Sequence, residues 1–182
     1  SSDIGPANAI PDDLMFYFFK KKFDRNGNTA SKGTKNIKIF ELYKKNSFFK
    51  KNFPKSLDRN NFHYLFKKLK KLRSYDALNT SSNFTIHSII KLIENKICEN
   101  INEFILTGGG RKNEYILNSL KNLRKDLKFS IIDEYKFNGD LLEAQMFAYI
   151  GVRSIKKLII SAKSTTGVKK SISGGKLYKF NY

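Results

Sequence analysis

The fold is decided by one stretch of sequence, EFILTGGGRKN, which occupies residues 103–113. Its apolar beginning predicts a short buried strand over residues 103–107. The three glycines Gly108, Gly109 and Gly110 permit positive φ angles and a close approach of the backbone to a ligand. The polar end predicts a helix from about Asn113, where free N–H groups favour anions or polar ligands. The turn is therefore either a tight strand-to-helix connection or a nucleotide contact, and it matches neither GxGxxG nor a Walker loop.

The segments around this stretch alternate between helical and strand patterns. Apolar residues at intervals of three and four predict helices, over about 11–19, 35–43, 62–72, 85–101, 115–127 and 141–155. A second strand is predicted over 129–132, and the tail from residue 164 as a loop with a short terminal strand. This order indicates a parallel α/β unit, in which ligands bind beyond the carboxyl ends of the strands.

The charge and the cysteine content limit the classes of protein to which this chain can belong. The 182 residues include 35 Lys and Arg against 16 Asp and Glu, a formal net charge of +19 that attracts polyanions. The lysines are spread along the chain without an RNP-like, zinc-finger or Arg-rich signature, so a basic nucleic-acid-binding module is the less favoured alternative. The single cysteine, Cys98, fits a reducing, cytoplasmic location and is predicted to be buried. No apolar run approaches the length of a membrane helix.

Several polar residues are candidates for chemistry, each with a purely structural alternative. Asp3 either binds a metal-nucleotide or sugar hydroxyl, or forms an Asx turn. Glu143, at the start of an apolar helix, either reaches a ligand or interacts with the helix dipole. Lys55 with Ser56 either binds phosphate or lies in a surface loop. The histidines lack metal-ligand spacing, so we predict no metal site, and no catalytic triad is evident.

Taken in order, these motifs resemble the carboxyl-terminal part of anhydro-N-acetylmuramic acid kinase. The resemblance spans essentially the whole chain and is carried most specifically by the triple glycine with Asn113 and by the Glu-Ala-x-x-Phe-Ala helix. The matching pieces are Asp3-Ile4-Gly5-Pro6-Ala7-Asn8, Phe23-Asp24-Arg25-Asn26-Gly27 with Ala30 and Gly33, Pro54-Lys55-Ser56 with Arg59 and Phe62, residues 106–113, Gly139-Asp140 with Glu143-Ala144 and Phe147-Ala148, and Thr165-Thr166-Gly167 with Gly174-Gly175. The family usually has Thr where Ile4 stands and Gly where Ala7 stands. It also has a small residue and Gly where this chain has Leu57-Asp58.

The resemblance implies the actin-like, ribonuclease H-like ATPase fold, with residues 1–182 as the nucleotide-side second domain of a two-domain sugar kinase. The implied ligands are ATP with Mg²⁺ and an anhydro-amino-sugar. A homodimer of the full-length protein is compatible with the family. The turn Gly108–Gly110 with Asn113 would contact the adenosine part of ATP, while Asp3, Gly5 and Asn8 would lie at the cleft floor. Glu143 would contact the sugar.

The same resemblance implies that important parts of the kinase lie outside this chain. The family's phosphate loop, its catalytic aspartate and the opening strands of the second domain are expected in the amino-terminal part, so we expect no catalytic residue here and an incomplete sheet edge. The reaction of the family opens the anhydro ring with water and phosphorylates the six-position oxygen, in cell-wall recycling. This chain is then either an inactive fragment of such a kinase or a non-catalytic remnant.

Overall fold

The computed structural model of the protein describes residues 2–178, apart from the side chain of Arg59. In chain order the elements are α1 (Ala9–Phe19), α2 (Ile37–Lys44), α3 (His63–Leu69), α4 (Ser74–Ile93), β1 (Glu103–Leu106), α5 (Glu114–Leu123), β2 (Lys128–Ile131), α6 (Leu142–Ile155) and α7 (Lys163–Thr166), joined in places by short 3₁₀ turns. Strands β1 and β2 pair in parallel, with Glu103 opposite Lys128 and Leu106 opposite Ile131. The predicted parallel βαβ unit, with α5 as its crossover helix, is confirmed. The burial predicted for β1 is wrong: none of its residues is buried and Ile105 is 47% exposed, since the described part of the sheet has only two strands.

Helix α4 is the centre of the molecule, although its first half is rich in Ser, Thr and Asn. Its buried Asn79 and Thr80 side chains have hydrogen-bond partners. The Thr80 hydroxyl donates to the Asp76 carbonyl at 2.7 Å and accepts from the Asn36 amide at 2.9 Å. Asn79 donates to the Ala30 carbonyl at 2.9 Å. Satisfied polar groups can be buried at little cost, so a polar helix can fill the interior.

The boundaries of α4 correct the helix predicted over 85–101. The helix begins at Ser74, eleven residues earlier, and ends at Ile93. It ends there because Asn95 takes an extended backbone conformation, with φ −79° and ψ 144°, and its side chain accepts a hydrogen bond from the Ile97 amide. Periodicity found only the apolar second half of the helix. Cys98 follows in a 3₁₀ turn and is 8% exposed, so its predicted burial is confirmed.

Two clusters of buried apolar side chains lie on opposite ends of α4. The first is formed with α1, α2 and α3 and contains stacked rings, with the centroids of Tyr43 and Phe84 4.2 Å apart. The second joins the end of α4 to α5 and β2 through Ile86, Leu120 and Phe129. The parallel strand pair is therefore attached to the helical core by one face of α5.

The amino-terminal segment is held against this core. A Cβ built on Gly5 would lie 2.2 Å from the Ser88 Oγ, so only glycine fits there. Ala7 follows with φ 46°, in the left-handed region, and its carbonyl accepts a hydrogen bond from the Thr85 hydroxyl at 2.8 Å. The left-handed conformation explains why glycine is the usual family residue at this position, because it has no Cβ to clash there.

The sheet and α6 leave much apolar surface uncovered. Within residues 2–178 the sheet has two strands. The 141–155 helix is confirmed as α6, yet none of its residues is buried. Its apolar side chains Phe147, Tyr149 and Ile155 are 61%, 62% and 64% exposed. Parallel sheets are normally covered on both faces, so this part of the chain lacks the cover that such a sheet requires.

The segment after α6 contains α7 and one isolated β-bridge. Ser161 and Ile172 form an isolated antiparallel bridge after α6. The predicted terminal strand falls in part on residues 179–182, which lie outside the described residues. In the described part of the chain, no helix combines the length and apolar character needed to cross a membrane.

We expect Ala7→Gly to stabilise the protein. It removes the strain of a left-handed alanine, roughly 1 kcal/mol. The greater conformational freedom of glycine in the unfolded chain offsets part of this stabilisation. The free energy of unfolding, measured in urea, checks the change. Ala77→Gly makes the same substitution in helical backbone within α4 and should instead destabilise by about 1 kcal/mol. Equal destabilisation by the two substitutions would contradict the conformation assigned to residue 7.

Candidate functional site

The glycine turn links the carboxyl end of β1 to the start of α5. Gly108 has φ 69° and ψ −174°, a conformation that only glycine adopts readily, and Gly109–Lys112 follow as one 3₁₀ turn. Asn113 then caps α5, since its Oδ1 accepts a hydrogen bond from the Ile116 amide at 3.1 Å. The turn places backbone N–H groups and the positive end of the α5 dipole at the edge of the sheet.

Arg111 ties this turn to two other segments. Its guanidinium is buried, and Nη1 donates both to the Gly108 carbonyl at 3.0 Å and to Asp140 Oδ1 at 2.9 Å. Nε and Nη2 donate to the two carboxylate oxygens of Asp133, which follows β2. A Cβ built on Gly139 would lie 2.3 Å from the Arg111 Nε, so the 139–140 loop closes directly on the guanidinium. One side chain therefore fixes the turn, the end of β2 and the approach to α6.

The charges around Arg111 shift one another's titration. Hydrogen bonds from Arg111, and then from Lys112 at 2.6 Å, lower the pKa of Asp140 to about 2. The hydrogen bond from Arg111 likewise lowers the pKa of Asp133, and the two carboxylates raise the pKa of Arg111. The carboxylates stay ionised at neutral pH and neutralise the buried guanidinium, so the face of the turn is free of an unpaired buried charge.

A cavity of about 500 Å³ opens beside the turn and brings several predicted residues together. Asn8, Gly109 and Asn113 line it, and the Asn8 Nδ2 lies 3.1 Å from where a Cβ on Gly110 would stand. Nothing lies within 4 Å of a Cβ built on Gly109, so the space above this residue is open. The cavity combines backbone donors, side-chain amides and room for a ligand.

The same cavity contains residues to which the sequence analysis gave no role. Phe23, Arg25 and Asn26 line its far side, and they had been noted only as part of a matching motif. Their loop is held by Asp24, whose carboxylate accepts from the Thr29 and Ala30 amides at 2.9 and 2.8 Å. In the sequence, the only sign of this role was an aromatic residue, Phe23, two positions before the basic Arg25.

A smaller cavity of about 400 Å³ lies on the other side of the turn. Glu143, in the first turn of α6, lines it together with Thr107, Gly108 and Gly109. Gly109 borders both cavities, so the glycine turn separates two neighbouring spaces. Glu143 therefore lies next to the glycine turn.

Asp3 and Gly5 lie apart from these two cavities. The Asp3 amide donates to the Lys55 carbonyl at 2.9 Å, and its Oδ2 accepts from the Leu57 amide at 2.7 Å. Gly5 is packed against Ser88. Both residues thus have structural contacts of their own, and their contact with a ligand stays a prediction.

Among residues 2–178, no group of three or more His, Cys, Asp or Glu side chains could hold a metal ion. The two histidines are in contact with aromatic rings, with His63 stacked on Phe66 and His87 edge-on to Phe40.

Titration of Asp140 should report the Arg111 network directly. A carboxyl with a lowered pKa stabilises the fold above its ordinary value, here 3.8, and that contribution is lost as the pH falls towards about 2. We expect Arg111→Met to raise the Asp140 pKa towards 3.8, measured by NMR of the carboxyl carbon. Lys112→Met should raise it less, since it removes the smaller cause. An Asp140 titration unchanged by Arg111→Met would disprove the network.

Comparison with known proteins identifies the family. A family model described as anhydro-N-acetylmuramic acid kinase matches residues 1–180. A protein of that name from Pelagibacter ubique (strain HTCC1062) is 37% identical, over 100% of this chain and 49% of its own length. Another, from Roseobacter denitrificans (strain ATCC 33942 / OCh 114), is 33% identical, over 96% of this chain and 46% of its own. The chain thus spans about half the length of the curated relatives it matches. Since the family model covers nearly every residue, this chain belongs to the anhydro-N-acetylmuramic acid kinase family.

Proposed function

We propose that this chain forms the nucleotide-side part of an ATP-dependent kinase of 1,6-anhydro-N-acetylmuramic acid, which serves peptidoglycan recycling. The kinase would open the anhydro ring with water and phosphorylate the six-position oxygen. Family membership supports the proposal. The single observation that carries it is the open glycine turn, which lies between the end of a parallel strand and a helix N-terminus and borders a cavity of nucleotide size.

The residues around the larger cavity fit the adenosine side of ATP. Gly109 leaves open space where a side chain would stand, so a flat ligand can approach the backbone closely. Asn8 and Asn113 supply amide groups, and the exposed ring of Phe23 offers an apolar surface for stacking. Bound ATP would supply the phosphoryl group for transfer. Among residues 2–178 no group of three or more His, Cys, Asp or Glu side chains could hold a metal ion, and we assign no residue to Mg²⁺.

Glu143 is the residue we propose for sugar binding. Its carboxylate accepts hydrogen bonds only, and sugar hydroxyls are donors. It lines the smaller cavity, which adjoins the nucleotide cavity at Gly109, so a sugar there would lie next to the nucleotide. Adjacent sites are needed for phosphoryl transfer, because catalysis depends on the placement of the two reactants.

The fold we propose for the complete protein is the actin-like ATPase fold, with this chain as most of its second domain. A parallel sheet of two strands with an uncovered α6 requires further strands and helices for burial. Relatives of twice the length contain residues that could supply this cover and the opposite wall of the cleft. A homodimer of the full-length protein is compatible with this arrangement.

Nucleotide binding at the glycine turn can be tested with a substitution that we expect the fold to tolerate. Gly109→Val adds a side chain into open space, so the fold should be kept while the ligand is displaced. We expect ATP affinity, measured by calorimetry, to fall at least tenfold, which corresponds to about 1.4 kcal/mol. Gly151→Val is the matched control, because Gly151 also has nothing within 4 Å of its Cβ position and lies away from the turn. Equal affinities in the two variants would refute the nucleotide site.

We expect the chain by itself to show no ATP-dependent phosphorylation of the anhydro sugar. One wall of a cleft cannot position both reactants, and phosphoryl transfer relies on groups from both sides of the phosphates. Product formation from labelled ATP measures the activity, with the longer Pelagibacter ubique relative assayed in parallel. Sustained turnover by the 182-residue chain would overturn the proposed division of the cleft.

A further inference from the structure

A third cavity, of about 500 Å³, lies beside the last turns of α4. Four lysines line it, at positions 50, 51, 55 and 91, and Glu94 is the one carboxylate in its lining. Glu94 is already paired with Lys91, with 3.0 Å between Oε2 and Nζ. The other three ammonium groups have no carboxylate partner among the described residues. The cavity therefore carries an uncompensated positive charge.

Lys55 is the fixed member of this group. Its Nζ donates to the Phe48 carbonyl at 3.1 Å and to the Lys51 carbonyl at 3.4 Å. The same atom lies 4.4 Å from the centroid of the Phe48 ring and 4.6 Å from that of Phe53. An ammonium has three N–H donors, so one remains for a ligand after the two carbonyls are served. Contacts with rings and carbonyls hold the charge in place before any ligand binds.

The lining indicates which anion would bind. Its cations are lysines, whose ammonium groups bind phosphate oxygens as compact point charges. The amide of Asn52 adds a neutral donor. We propose that this cavity is a binding site for a phosphate-bearing small molecule, with Lys55 as its central contact and Lys50 and Lys51 beside it.

The titration of Lys55 agrees with this geometry. Burial, and then the neighbouring Lys51 ammonium, lower the pKa of Lys55. A bound anion would counter both effects by stabilising the charged form. The site shares no lining residue with the two cavities at the glycine turn, so it does not rest on the proposed kinase function.

Inorganic pyrophosphate is the probe for this site. Calorimetry on the full 182-residue chain should show binding that Lys55→Gln weakens about tenfold, the effect of losing one charge-assisted contact. Lys71→Gln removes an exposed lysine outside the cavity and should leave the affinity unchanged. Gly109→Val should leave it unchanged as well, which separates this site from the nucleotide site. If Lys55→Gln fails to fold, as judged by thermal melting, Lys50→Gln combined with Lys51→Gln replaces it, with the same tenfold loss expected.

Any of the following results would overturn the proposal. The first is no pyrophosphate binding, or equal weakening by Lys55→Gln and Lys71→Gln. The second is citrate binding as tightly as pyrophosphate, which would indicate a general site for anions. The third is tighter binding of a single-stranded oligonucleotide, with affinity that falls steeply between 50 and 200 mM salt and is weakened equally by Lys71→Gln, because that pattern belongs to a nucleic-acid surface.

Discussion

The buried guanidinium of Arg111 is the interaction on which the candidate site depends. It joins the carbonyl of Gly108 to the carboxylates of Asp133 and Asp140. Gly108 follows β1, Asp133 follows β2, and Asp140 lies in the loop before α6. The turn and the 139–140 loop are both irregular backbone at the edge of a small sheet, so the hydrogen bonds of Arg111 are what fix their relative positions. The charge is tolerated in the interior because two carboxylates and a carbonyl satisfy it.

Much of the sheet region was predictable, because its sequence obeys simple rules. The apolar run before Gly108 predicted β1, and the apolar periodicity that follows Asn113 predicted α5. The start of α4 at Ser74 was not, since Ser, Thr and Asn there are buried by hydrogen bonds to distant residues such as Ala30 and Asn36, which no local pattern reveals. Tertiary partners decided the conformation of that segment.

In the candidate site, too, some residues could be predicted from the sequence and others could not. Gly109 and Asn113 were predicted and lie together with Asn8 in one cavity. The role of Arg111 could not be foreseen, since its partners Asp133 and Asp140 are 22 and 29 residues further along the chain. Motif reading identified residues that line this cavity. It did not identify the side chain that holds them there.

The close contact between Gly139 and Arg111 has a consequence for the history of the family. A side chain at residue 139 would occupy the space of the guanidinium, so neither position can change freely while the other keeps its residue. A relative with a small residue in place of Arg111 would have room for a side chain at 139. Its carboxylates at 133 and 140 would have lost their guanidinium partner. Positions 111, 133, 139 and 140 should therefore covary among relatives, since together they hold the 139–140 loop against the glycine turn.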